Sequence, residues 1–109
     1  MIEQTQKEET LSIIKEVEAN PATTQRAISA KLGISLGKTN YLLKELIKKG
    51  LIKGESFSAN PGGLKKISYL LTAKGLEAKM RLTYHFLKIK ESEYKLLKEE
   101  WEKSNGNKT

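Results

Sequence analysis

Residues 24–50 read Thr24-Gln25-Arg26-Ala27-Ile28-Ser29-Ala30-Lys31-Leu32-Gly33-Ile34-Ser35-Leu36-Gly37-Lys38-Thr39-Asn40-Tyr41-Leu42-Leu43-Lys44-Glu45-Leu46-Ile47-Lys48-Lys49-Gly50. Thr23 or Thr24 can cap a short helix, because a threonine oxygen accepts from backbone N–H groups that a first turn leaves unpaired. Ala27, Ile28 and Leu32 give that helix a narrow apolar side, and Gly33 suits the left-handed conformation that ends it. Ile34 is apolar and Ser35 is a good cap for the next helix, predicted from Leu36 to Lys49 and closed by Gly50. Thr39, Leu42, Leu43, Leu46 and Ile47 recur at helical period. Gly37, Lys38, Tyr41, Lys44, Glu45 and Lys48 point the other way, with Asn40 at the margin. Short capped helix, tight glycine turn and amphipathic helix, in that order, are the signature of a helix-turn-helix.

Upstream, Thr5-x-x-Glu8 has capping-box spacing and predicts a helix from Thr5 to Ala19, with Leu11, Ile14 and Val17 on one side and Ile13 close by. Asn20-Pro21 ends it. Downstream, Leu51–Phe57 and Ile67–Leu71 read as two strands around Asn60-Pro61-Gly62-Gly63, a strong turn signal. A hairpin after a helix-turn-helix, with Lys65 and Lys66 at its tip or flank, reads as a wing. Thr72 caps a last helix running unbroken from Ala73 to about Trp101, a span of about 45 Å. The fold class expected is mainly α with a small β-hairpin wing: a winged helix-turn-helix over residues 1–71, a long C-terminal dimerisation helix over 72–103 and a frayed tail over 104–109.

The 109 residues carry a net charge of +7, unevenly distributed: −3 over residues 1–20, +7 over 21–71 and +3 over 72–109. The basic middle block predicts a polyanionic partner, and nucleic acid is the commonest. There is no cysteine, hence no disulfide framework, thiolate metal site or cysteine nucleophile. That fits a reducing, cytoplasmic setting. No apolar run approaches the roughly 18 residues of a membrane span, and the polar N-terminus is not a signal peptide. There is no aspartate, and the lone His85 belongs to no cluster of metal-ligand spacing. Gly62-Gly63 lies in no phosphate-cradling motif. The residues therefore point to no enzyme, cofactor or metal.

A recognition helix presents its N-terminal residues to base edges in the major groove. Here Ser35, Leu36, Gly37, Lys38, Asn40 and Tyr41 occupy that end. Lys38 can donate to guanine and Asn40 can pair bidentately with adenine. Gly37 permits close approach, and Tyr41 can reach a phosphate or a thymine methyl. Leu36 lies near the core side by period, yet first-turn residues often touch DNA. Lys44 and Lys48 suit phosphate contacts; the bland alternative is a solvated helix face. Lys65 and Lys66 are placed for phosphate contact from the wing. Arg26 is a backbone contact or a plain surface arginine.

The last helix carries two apolar stripes. Met80, Leu87, Tyr94 and Trp101 recur every seven residues, with Leu76 and Leu97 at intermediate steps; Leu82, Phe86, Ile89 and Leu96 lie on another face. One stripe can pack on the DNA-binding lobe. The other needs a partner, because large exposed apolar patches are rare on monomers. A second subunit is the simplest one, through Leu76, Met80, Phe86, Leu87, Ile89, Tyr94, Leu97 and Trp101, and a different protein is the alternative.

Gln25 to Ser35, then Lys38-Thr39-Asn40-Tyr41-Leu42-Leu43-Lys44-Glu45-Leu46, Lys49-Gly50-Leu51-Ile52 and the step Leu71-Thr72-Ala73-Lys74-Gly75 resemble the MarR-like winged-helix regulators over residues 8 to 101. Gly33 to Tyr41 is similar to the short regulators associated with exopolysaccharide gene clusters. The resemblance implies a homodimer on an inverted-repeat operator in double-stranded DNA, regulating polysaccharide biosynthesis genes, with no cofactor and an unknown small-molecule effector. Where such wings carry Asp-x-Arg, this chain has Gly63 and Lys65, so the minor-groove arginine is missing. The competing readings are a winged-helix module that holds proteins and, less favoured, one that binds structured RNA.

Overall fold

The computed structural model describes the backbone of residues 2–58 and 65–105 and the side chains of residues 5–55 and 67–105. The elements follow as α1 (Ile2–Ala19), α2 (Gln25–Leu32), α3 (Leu36–Lys48), β1 (Ile52–Ser58), β2 (Lys65–Leu71) and α4 (Ala73–Ser104). α1 begins at Ile2, so Thr5 and Glu8 are an interior i, i+3 pair and not a capping box. Ile13, Ile14 and Val17 of α1 are fully buried, whereas Leu11 is half-buried.

The two caps of the helix-turn-helix are both made by hydroxyls. Thr24 Oγ1 accepts from the Ala27 N–H at 3.0 Å, and Ser35 Oγ accepts from the Lys38 N–H at 3.0 Å. Thr23, the alternative cap, is buried instead. Between the helices Gly33 adopts φ 70°, and the Gly33 and Ile34 N–H groups both donate to Ser29 O. Ile28 is the buried residue of α2, while Ala27 is exposed, because a two-turn helix meets the core along one narrow line.

α3 closes one residue earlier than expected, with Lys49 as its cap and Gly50 at φ 78° beyond it. The Gly50 N–H donates to Ile47 O and the Leu51 N–H to Leu46 O, the paired bonds of a Schellman motif. β1 and β2 are antiparallel, in register from Ile52 opposite Leu71 to Ser58 opposite Lys65. Lys65 and Lys66 thus belong to the strand and not to the turn, whose residues 59–64 lie outside the described residues. Tyr69 is buried, but Ile67, two residues outward on the same side, is exposed because the hairpin projects past the core.

One core joins α1, α2, α3 and the hairpin: Ile13, Ile14, Val17, Ile28, Leu42, Leu43, Leu46, Ile52 and Tyr69, with Leu82 of α4 packed on its edge. α4 enters through a tight junction. Thr72 Oγ1 accepts from the Gly75 N–H at 2.9 Å and lies 2.6 Å from Gly50 O and 3.0 Å from Leu51 O, to which it can donate; the Thr72 N–H donates to Leu51 O at 3.1 Å. α4 then runs 32 residues, three beyond the expected end, so Ser104 is helical and Asn105 caps it. Residues 106–109 of the expected tail lie outside the described residues. The radius of gyration is 18.9 Å, against about 13 Å for a compact chain of this length, because the second half of α4 has no lobe beneath it.

Candidate nucleic-acid interface

The outward face of α3 carries Gly37, Tyr41, Lys44 and Lys48, all exposed. Leu36 is 40% exposed and so stands outside the buried stripe. Ile47, expected in the apolar stripe, is 39% exposed and reaches over the wing, close to Gly54 of β1. Thr39 is the polar member of the stripe and is fully buried; its hydroxyl donates to Ser35 O at 3.0 Å, so it enters the core with its hydrogen bond made. Ser35 is exposed, but its hydroxyl is engaged as the helix cap.

The two candidate base-reading residues are both tethered. Lys38 Nζ lies 2.9 Å from Glu9 Oε1 of α1. Asn40 is half-buried, and its Oδ1 accepts from Gln25 Nε2 at 3.4 Å; the same amide nitrogen donates to the Tyr69 hydroxyl at 3.4 Å. Gln25, at the first position of α2, therefore joins α3 to β2. Sequence reasoning passed over Glu9, Gln25 and Tyr69, because nothing in the local pattern couples residues so far apart in the chain.

Three glutamates of α1 each meet a base from another helix. Glu9 pairs with Lys38 of α3, Glu16 with Lys31 of α2 at 2.7 Å, and Glu18 with Lys79 of α4. Glu9, Glu16 and Glu18 are thus engaged by lysines of other helices, and Lys44 and Lys48 have no described acidic partners. Arg26 is exposed at the start of α2. Lys65 and Lys66 pair in the ladder with Ser58 and Phe57, and their side chains lie outside the described residues.

On the opposite side of α3 an open cleft of about 550 Å³ separates α1, α3 and α4, lined among others by Thr10, Leu46, Leu51, Leu82 and His85. His85 stacks edge-on against Phe86, with ring centroids 5.0 Å apart. Among the described residues no group of three or more His, Cys, Asp or Glu could hold a metal ion. No described helix is long and apolar enough to cross a membrane.

The two stripes of α4 have different surroundings. Leu82, Phe86 and Ile89 are half-buried on the lobe-facing side, so Phe86 and Ile89 stand apart from the other dimerisation candidates. Leu76, Met80, Leu87, Tyr94, Leu97 and Trp101 are exposed.

Residues 10–53 match the family model described as winged helix-turn-helix DNA-binding. No curated protein matches the chain. Among solved structures, a mutant of S. aureus MepR is similar at 19% identity over 92% of this chain and 72% of that one, with a TM-score of 0.65. The S. aureus MepR–DNA complex is similar at 22% identity, 93% and 70% coverage and a TM-score of 0.60. Staphylococcus aureus MarR in complex with salicylate and kanamycin is similar at 25% identity, 76% and 53% coverage and a TM-score of 0.56. The fold is a winged helix-turn-helix extended by one long C-terminal helix.

Proposed function

We propose that this winged-helix chain is a MarR-like transcription regulator that binds double-stranded DNA sequence-specifically as a homodimer in the cytoplasm. The observation that carries the reading is the outward face of α3, where Gly37, Tyr41, Lys44 and Lys48 are exposed together beside the wing while Glu9, Glu16 and Glu18 of α1 are paired with lysines of other helices. α3 enters the major groove with Ser35, Leu36, Gly37 and Tyr41 at its leading end. Lys38 exchanges Glu9 for a base edge, and Asn40 reads from a position fixed by Gln25. Lys44, Lys48, Arg26 and the wing residues Lys65 and Lys66 contact phosphates. The exposed stripe of α4 pairs two copies, which makes the operator an inverted repeat. The similarity to exopolysaccharide-associated regulators makes promoters of polysaccharide biosynthesis genes the first to be assayed.

The test is titration of duplex DNA at several salt concentrations. With about 6–10 phosphates neutralised per dimer, affinity should fall on the order of a thousandfold between 50 and 200 mM salt. A flat response, or no binding at low salt, would remove the DNA reading in favour of a module that holds proteins.

A further inference from the structure

α4 carries a seam that its own lobe leaves uncovered. Leu76, Met80, Leu87, Tyr94, Leu97 and Trp101 are exposed, Met80 at 69% and Trp101 at 65%. Thr83 and Lys90, also exposed, complete an unbroken alternation of four- and three-residue steps from 76 to 101. That is the a/d spacing of a coiled coil. The lobe packs on a different face, through Gly75, Ala78 and Leu82, about 110° away at 100° per residue. Lobe and seam can therefore be covered at once.

We infer that the seam is covered by α4 of a second copy running antiparallel, with Leu76 opposite Trp101, Met80 opposite Leu97, Thr83 opposite Tyr94 and Leu87 opposite Lys90. The inference deepens the dimer reading above and rests on it. The two-fold axis passes between Lys88 and Ile89.

Lys90 excludes the parallel alternative. In a parallel pair it would face its own copy in a seam layer, two ammonium groups in an apolar setting. In the antiparallel pair it faces Leu87, its stem covers the leucine, and its ammonium stays at the edge, where it already pairs with Glu93 at 3.4 Å. The flanking positions select the register. They set Glu77 beside Lys98 and Lys79 beside Glu100, each twice by symmetry, and opposite charges at such positions fix partner and orientation. Sliding one helix by a heptad in one direction sets Glu77 beside Glu91. Sliding it in the other sets Glu91 beside Glu91 and Glu93 beside Glu93. Either slide also strips two seam residues of each helix of their partners. Lys79 additionally bridges Glu18 of its own α1, so the same side chain ties the lobe to the interface. The register separates the two Gly75 positions by about 40 Å, close to the roughly 34–36 Å between successive major grooves on one face of the duplex. A parallel pair would bring both lobes to one end.

Because the chain has no cysteine, engineered thiols report the register directly in the full-length protein. Met80→Cys/Leu97→Cys should become almost wholly disulfide-linked dimer under mild oxidation, while Met80→Cys alone and Leu97→Cys alone should not cross-link. Efficient cross-linking of either single variant would mean a parallel pair and overturn the inference. A dimer in sedimentation that the double variant fails to cross-link would overturn it too. Glu77→Lys should raise the dimer dissociation constant several-fold, and adding Lys98→Glu to the same chain should restore it; absence of rescue overturns the register. A protein dimeric in another register that still binds duplex DNA would sink this inference and leave the proposed function standing, whereas a monomer at micromolar concentration would sink both the register and the homodimer.

Discussion

Gly75→Ala sets two opposing effects on one residue. Alanine is a better helix former than glycine, by about 1 kcal/mol in a helix interior and less in a first turn. Against that, a Cβ at position 75 would lie 2.1 Å from Leu51 O and 2.6 Å from Leu71 Cδ1, where ordinary contact begins at 3.4 Å. The carbonyl cannot simply retreat, since it is held by the Thr72 N–H and lies 3.0 Å from the Thr72 hydroxyl. The start of α4 must move by about 1 Å, at about 1–3 kcal/mol for overpacking and about 0.5–1.5 kcal/mol for each hydrogen bond stretched. The clash therefore wins, with a net loss of about 2–4 kcal/mol, or roughly 10–20 °C in Tm for a domain of this size. Urea unfolding followed by circular dichroism measures it, at one fixed protein concentration because association adds to apparent stability. Gly37→Ala is the control: nothing lies within 4 Å of its Cβ, so it should leave the fold unchanged or about 0.5–1 kcal/mol more stable, while weakening DNA binding on the proposed reading. A Gly75→Ala protein as stable as its parent would refute the argument that α4 is pressed onto the Leu51 carbonyl.

Thr72→Val should cost about 1–2 kcal/mol by removing the cap of α4 and its bonds to the end of α3, again read by urea unfolding; a neutral result would mean the hydroxyl bonds do not hold the junction. Lys38→Ala or Asn40→Ala should lose about 1–3 kcal/mol of discrimination at one base pair. Lys65→Ala or Lys66→Ala should weaken all duplexes alike and lower the salt slope, and binding curves on matched and mismatched operators separate the two classes. Inserting about five base pairs between the half-sites should abolish tight binding, because it turns one major groove to the far side of the duplex; unchanged affinity in a gel-shift titration would mean that each subunit binds alone.

The helix-turn-helix was legible because its determinants are local. Thr24, Gly33, Ser35 and Gly50 act within one turn of their own position, and the stripe from Thr39 to Leu46 repeats often enough to mark a buried face. The start of α1 was misread because Thr5 and Glu8 have the same spacing in a capping box and inside a helix. The burial of Leu82, Phe86 and Ile89, and the exposure of Ile67, depend on where the lobe ends, which periodicity does not encode. The tethers on Lys38 and Asn40 were out of reach for the same reason: Glu9 and Tyr69 come from elements that meet α3 only in the folded lobe. In sequence Gly75 reads as a weak residue in a first helical turn, and its cause, the Leu51 carbonyl between α3 and β1, is visible only in three dimensions.

The junction at Thr72 and Gly75 turns α4 into a lever arm. A rod of 32 residues is about 48 Å long, so a tilt of about 10° where it leaves the lobe would move its far end by about 8 Å, more than the rise of two base pairs at 3.4 Å each. The start of α4 is held by one hydroxyl, one backbone N–H and the missing side chain of one glycine, with Ala78 and Leu82 packed on the lobe just beyond them. Small contacts there act with a long mechanical advantage, and a change that leaves α3 untouched at its surface can still move it out of phase with the groove.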